Sequence, residues 1–216
     1  MGDGDRVMKV LIINFNRVTL SSALADWVFK RGCEPVFIDN ASDYKPLLEY
    51  YATCPYEVVR MDKNYGKDVV WDQGLLNKLN ITGEYILTDP DLDLTGIPDN
   101  FLKVLREGLS RYPQFDKCGF SLEINDVTDR SVYFQNMPIK EWELQFWCNP
   151  MDSQYFNASI DTTFALYKTD KFSFNALRTN RPYTARHIPW YYDQRKPEDE
   201  IYYCKTATAQ SNIIRR

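Results

Sequence analysis

The feature that most constrains the fold is the alternation of apolar strands with amphipathic helices at the start of the chain. "MKVLIINF" (residues 8–15) is a continuous apolar run of the kind buried on both faces of a sheet. From there the apolar residues fall at Leu20, Leu24, Trp27 and Val28, a helical stripe closed by Gly32, and "PVFIDN" (35–40) supplies a second strand. A strand, a helix and a strand in succession make a right-handed crossover, so the two strands are expected to be parallel. The pattern repeats. Pro46 suits the first turn of a helix in "PLLEYY", and "YEVVRM" (56–61) reads as a third strand. "KDVVWDQGLLNKL" reads as a helix weakly interrupted by Gly74, and "EYILTD" as a fourth strand. This is a doubly wound α/β arrangement over about ninety residues, whose ligand site should lie beyond the carboxyl ends of the strands.

After residue 95 the pattern changes. Phe101, Leu105 and Leu109 mark a helix, "CGFSLEI" reads as a strand, and an aromatic-rich stretch runs over 133–156. "DTTFALYK" (161–168) is strand-like. The segment 183–204 is dense in Pro, Tyr, Trp and charge, which predicts an ordered, ligand-facing loop and then a short terminal helix. With 216 residues and no shift in composition, the expectation is one domain over 1–216, built on a central, mostly parallel mixed sheet flanked by helices.

Composition excludes some partners. The net charge of -4, with no basic run, argues against nucleic acid, because phosphate binding draws on clustered Lys and Arg. The five cysteines are scattered without a CxxC pair, which predicts reduced thiols and neither zinc nor redox chemistry. No apolar run approaches the roughly 20 residues of a membrane span, and "MGDGDRVMK" has no signal-peptide core. The expected setting is cytoplasmic.

The chemistry concentrates in "EYILTDPDLDLT" (84–95), where Asp89, Asp91 and Asp93 follow the fourth strand at every second position. Three carboxylates crowded at a strand end repel one another unless a cation neutralises them, and an oxygen-only set of this kind suits Mn²⁺ or Mg²⁺ bound beside substrate phosphates. The plainer reading is a polar turn, with Asp89 capping the step into Pro90.

"YILTDPD" resembles the hydrophobic strand and DxD motif of GT-A fold glycosyltransferases, with Asp89 and Asp91 as the pair. Three further segments follow the same family's order. "VFIDNAS" is similar to the second-strand segment whose aspartate contacts uracil, a role the resemblance carries to Asp39. "NYGKDVVWDQGL" (64–75) resembles the family's "NxG…NxG" helix entry and brings Asn64 and Lys67 into the nucleotide site, although Asp72 or Gln73 stands where the second Asn belongs. "NFNR" puts Asn14, Asn16 and Arg17 where such enzymes enclose base and ribose. The only histidine, His187, lies where family members complete the metal or diphosphate site, with Trp190, Tyr191 and Tyr192 beside it as either a sugar platform or core.

The resemblance implies a nucleotide-binding half over 8–95 and an acceptor half over 96–216. The activity it implies is transfer of a sugar from a UDP-sugar to a glycan or protein-linked acceptor. Asp89, Asp91 and His187 would hold Mn²⁺ or Mg²⁺, and Asp161 would be the base if the reaction inverts configuration. Enzymes of bacterial surface-glycan synthesis and of large algal viruses are similar small modules, and the chain can equally be one module of a longer polypeptide. Two alternatives stand beside this reading. One is a non-catalytic nucleotide- or carbohydrate-binding module of the same fold. The other is a phosphatase that uses "DLDLT" (91–95) as its nucleophile motif.

Overall fold

The computed structural model describes residues 7–128, 132–134, 136–192, 195–207 and 213–215. The first half holds β1 (Lys9–Asn14), α1 (Thr19–Phe29), β2 (Glu34–Asp39), α2 (Lys45–Thr53), β3 (Glu57–Arg60), α3 (Val69–Asp72), α4 (Leu75–Lys78), β4 (Tyr85–Thr88) and β5 (Leu92–Asp93). The second holds α5 (Phe101–Arg111), β6 (Lys117–Leu122), β7 (Val132–Phe134), β8 (Met137–Pro138), α6 (Ile139–Leu144), β9 (Tyr155–Asn157), β10 (Ala165–Tyr167), β11 (Ala176–His187), α7 (Glu198–Thr206) and β12 (Ile213–Arg215).

One sheet, in the order β3-β2-β1-β4-β10-β6-β11-β5 with β9 against β11, runs through both halves. The crossovers β1-α1-β2 and β2-α2-β3 give parallel pairs as expected, and β1 also lies parallel to β4. β10 reverses direction between β4 and β6 and makes the sheet mixed.

β1 shows why this sheet needs helices on both faces. Successive side chains of a strand point to opposite sides. Val10 and Ile12 pack with Leu24 and Val28 of α1, while Leu11 and Ile13 pack with Val69, Val70, Leu75 and Leu76 on the other face. The parallel register aligns Asn14 with Asp39 and Ile12 with Thr88, so the carboxyl ends of β1, β2 and β4 open onto one edge. Asp89 follows Thr88 directly at that edge.

Three expectations need correction. The helix read over "KDVVWDQGLLNKL" is two four-residue helices, because Gly74 takes a left-handed φ of 60° and ends the first. "DTTFALYK" is strand only over Ala165–Tyr167, and its first residues form a loop. The segment read as a loop from 183 begins as strand, since β11 continues to His187, and Trp190 is buried in the core. Tyr191 also packs against that core and hydrogen-bonds to Asp126 at 2.8 Å, so of the two readings of the aromatic run Trp190 and Tyr191 follow the core one.

Candidate active site at the strand ends

The edge formed by β1, β2 and β4 collects most of the residues singled out from the sequence. β11 brings in His187 from the far end of the chain, because its antiparallel pairing with β5 sets His187 opposite Leu92 and ties the Ile188 N–H to the Asp91 carbonyl at 2.9 Å. His187 Nε2 then stands 3.3 Å from Asp91 Oδ2. From the β1 loop Arg17 reaches the same oxygen through Nη1 at 3.0 Å.

The charges explain the titration behaviour. Burial pushes the Asp89 carboxyl up, Asp161 and Asp91 add like-charge repulsion, and together they carry it to about 7. Burial would raise Asp91 as well, but His187 and Arg17 outweigh it and hold Asp91 well below the usual carboxylate range. For His187 burial works against the charged form, yet the Asp91 carboxylate prevails and raises it. Asp91 is therefore the ionised member of the pair, and Asp89 is the crowded one.

Asp161 comes to Asp89 on the loop before β10: Thr162 of that loop donates to Asp89 Oδ2 at 3.1 Å. The loop is fixed from beneath. Lys117 Nζ donates to the Asp161 carbonyl at 2.7 Å and to the Tyr167 hydroxyl at 2.8 Å, and that hydroxyl donates to the same carbonyl at 2.9 Å. Asp161 itself is exposed, so its carboxylate is accessible beside the pair.

The nucleotide-side residues are spent largely on the protein itself. Asn14 Nδ2 donates to the Arg17 carbonyl and to the Ser21 and Tyr51 hydroxyls. Asn16, at a left-handed φ of 55° that Asn tolerates, accepts from the Asp43 and Tyr44 amides and donates to Asp43 and Thr206. Asp39 is fully buried and accepts from the Ser42 amide at 3.2 Å and from Arg60 Nε at 3.1 Å. Asn64 accepts from the Gly66 amide, and Lys67 pairs with Asp68 at 2.8 Å. Asn64 and Lys67 lie on the exposed loop before α3, and the structure shows no contact of either with the aspartates.

No protein-family model and no curated protein matches the sequence. Among solved structures the chain is similar to HddC from Yersinia pseudotuberculosis, over 92% of this chain and 99% of that one, at 12% identity and a TM-score of 0.50. The fold is GT-A-like. A second similar structure is the mannosyltransferase PcManGT from Pyrobaculum calidifontis in complex with GDP-Man and Mn²⁺, over 74% of this chain, at 16% identity and a TM-score of 0.48. The chain spans 44% of that protein's length. Among the described residues no helix is long and apolar enough to cross a membrane.

A divalent cation can be tested against this donor set. Among the described residues no three His, Cys, Asp or Glu side chains converge to hold a metal. Asp91 Oδ1 is nevertheless buried without a hydrogen-bond partner, and it stands beside a crowded Asp89. Two carboxylates with one free oxygen fit a hard cation that takes its remaining ligands from water and phosphate. His187 turns Nε2 to Asp91 and leaves Nδ1 buried without a partner, so its nearest role in this structure is to neutralise that carboxylate.

Sequence reasoning missed the residues that complete the site from afar. Glu143 of α6 and Arg178 of β11 form a buried ion pair, and Arg178 Nε also donates to the Ser159 carbonyl at 2.9 Å. Burial raises Glu143 against the pull of Arg178, with His187 also lowering it and Asp161 raising it. Glu200 and Tyr203 of α7 engage Arg17. Lys117 had one legible signal: a lysine opening an otherwise buried strand needs a polar reason to be there.

Proposed function

We propose that this chain transfers a sugar from a nucleotide sugar, a UDP-sugar in the first instance, to a glycan or protein-linked hydroxyl acceptor with the help of Mn²⁺ or Mg²⁺. The observation that carries the reading is the trio Asp89, Asp91 and Asp161 at the carboxyl edge of a GT-A-like sheet, with one Asp91 oxygen buried and unpartnered. Asp89 and Asp91 would hold the cation, whose contribution when bound is to offset the negative charge of the departing nucleoside diphosphate.

The other roles belong to the chain. Arg17 and His187 hold Asp91 ionised at neutral pH. Lys117 and Tyr167 fix the backbone of the Asp161 loop, so that the exposed carboxylate is presented beside Asp89 and not left to wander. In an inverting reaction Asp161 takes the proton from the acceptor hydroxyl; in a retaining one no such base is required. Asn14, Asn16 and Asp39 shape the loops that would frame the base, and Asn64 and Lys67 approach from the β3 side.

The test is incubation of the purified protein with Mn²⁺ and UDP- or GDP-sugars, followed by chromatography for released nucleotide. Release of UDP that stops with chelator supports the reading. Release of GDP in its place moves the donor and keeps the reaction. Pyrophosphate formation from a sugar phosphate and a nucleoside triphosphate would replace glycosyl transfer by nucleotidyl transfer, and nucleotide binding without turnover would leave a binding module.

A further inference from the structure

The helix α7 lies across the edge where a nucleotide would enter, and its docking is unusual in kind. A helix normally docks by burying an apolar stripe. The buried residues of α7 are Asp199 and Glu200, at 4% exposure each, while Ile201 is 42% exposed. Charge therefore holds this helix. Asp199 accepts from the Val18 and Thr19 amides at 2.8 and 2.7 Å, capping α1 from a distance. Glu200 takes Arg17 in a two-bond fork at 2.7 and 3.0 Å, and Tyr203 lies 3.6 Å below the Arg17 guanidinium. Tyr202 packs on Tyr44 beyond β2, and Thr206 meets Asn16.

A planar guanidinium forked by a carboxylate is also the geometry that receives a phosphate. We infer that α7 is an autoinhibitory latch: Glu200 occupies on Arg17 the anion position that a nucleoside diphosphate takes once the helix has swung away. The inference rests on the proposed donor site and adds to it a closed state. A contact made mainly by charge, with two half-buried tyrosines and no fully buried apolar side chain, is one that a competing polyanion can open. Binding then costs the free energy of release, and the apparent affinity of the closed protein is lowered by the fraction of molecules that are open.

The experiment uses the full chain. Hydrogen–deuterium exchange over residues 198–206 is followed with and without inorganic diphosphate, and the Kd of UDP and of GDP with Mn²⁺ is measured for the wild type, Glu200→Gln and Tyr202→Ala. Tyr202→Ala loosens the latch without touching Arg17 or Asp91. Diphosphate should raise exchange in 198–206, both variants should raise it without any ligand, and both should tighten nucleotide binding on the order of ten-fold. Unchanged exchange with diphosphate, or nucleotide bound by the wild type and by both variants with no gain in affinity in either variant, would overturn the latch. If diphosphate frees the helix and no variant binds a nucleotide, the latch stands and the donor reading falls.

Discussion

Arg17 and Glu200 lie 183 positions apart in the sequence and meet through two hydrogen bonds, while the third nitrogen of Arg17 pairs with Asp91 at 3.0 Å. One side chain thus ties the Asp91 carboxylate to the last long helix of the described chain. Breaking a buried pair in place costs about 3–5 kcal/mol, because the partner is left charged and dry. In Arg17→Ala that cost is smaller if α7 lets go, since Glu200 returns to water and His187 stays against Asp91. The expected loss in urea unfolding is about 1–3 kcal/mol, with faster exchange over 198–206. A loss of the larger size with α7 still protected would make the helix an integral wall.

Asp161→Asn separates binding from chemistry. Its carboxylate is exposed, its backbone carbonyl makes the contacts to Lys117 and Tyr167, and those contacts survive the substitution. If Asp161 is the base of an inverting reaction, kcat should fall about 10²–10⁴-fold with little change in KM for the donor. A kcat within a factor of a few of wild type would remove it from that role.

Burial depresses Lys117 from 10.5 to about 7, with Asp161 resisting the shift. Between about 7 and 10.5 the unfolded chain holds a proton that the folded chain has released, so this group adds stability as pH rises through that window. In Lys117→Met the gain should vanish, and the difference in melting temperature between pH 7 and pH 9 should shrink relative to wild type. At pH 7 the variant should be as stable as the parent, because the Tyr167 hydroxyl still satisfies the Asp161 carbonyl at 2.9 Å. An unaltered pH profile would mean that the amine keeps its ordinary affinity for protons.

Glu123 behaves in the opposite sense. Its hydrogen bonds from Arg181 hold it at about 2 against the opposing effect of burial. A carboxylate depressed on folding stabilises the protein above its unfolded pKa of roughly 4.3, and that stability is lost as pH falls towards the folded value. Acid titration of Arg181→Ala should therefore show less stability than wild type at pH 6 and a gap that narrows by pH 2. Parallel curves would show that the Arg181 contact contributes nothing.

Trp190 separates the two readings of the aromatic run, sugar platform and core. It is 3% exposed, and its ring lies 4.9 Å from that of His187. Trp190→Ala should cost about 3–5 kcal/mol in stability, and Trp190→Phe should recover much of it. Sugar-platform behaviour, a raised donor or acceptor KM at unchanged melting temperature, would contradict the buried placement.

The sequence by itself determined the elements whose signals are local. Apolar runs at β1, β2 and β4 and the stripe of α1 have periods set by backbone geometry, and once the strands are parallel the carboxyl edge follows. Asn14, Asp39 and Asp89 were placed there by strand ends that any reader of the pattern can find. Gly74 was seen as an interruption, but the break it causes depends on a left-handed φ that spacing does not reveal. Tertiary structure alone decided what stands around the aspartates. His187 reaches Asp91 because β11 pairs with β5, Lys117 reaches the Asp161 carbonyl because β10 is antiparallel to β6, and Glu200 reaches Arg17 because α7 folds back on the β1 loop. Charged pairs so far apart leave no periodicity in the chain; sheet order and docking bring them together, and their low-dielectric surroundings then fix which groups are charged.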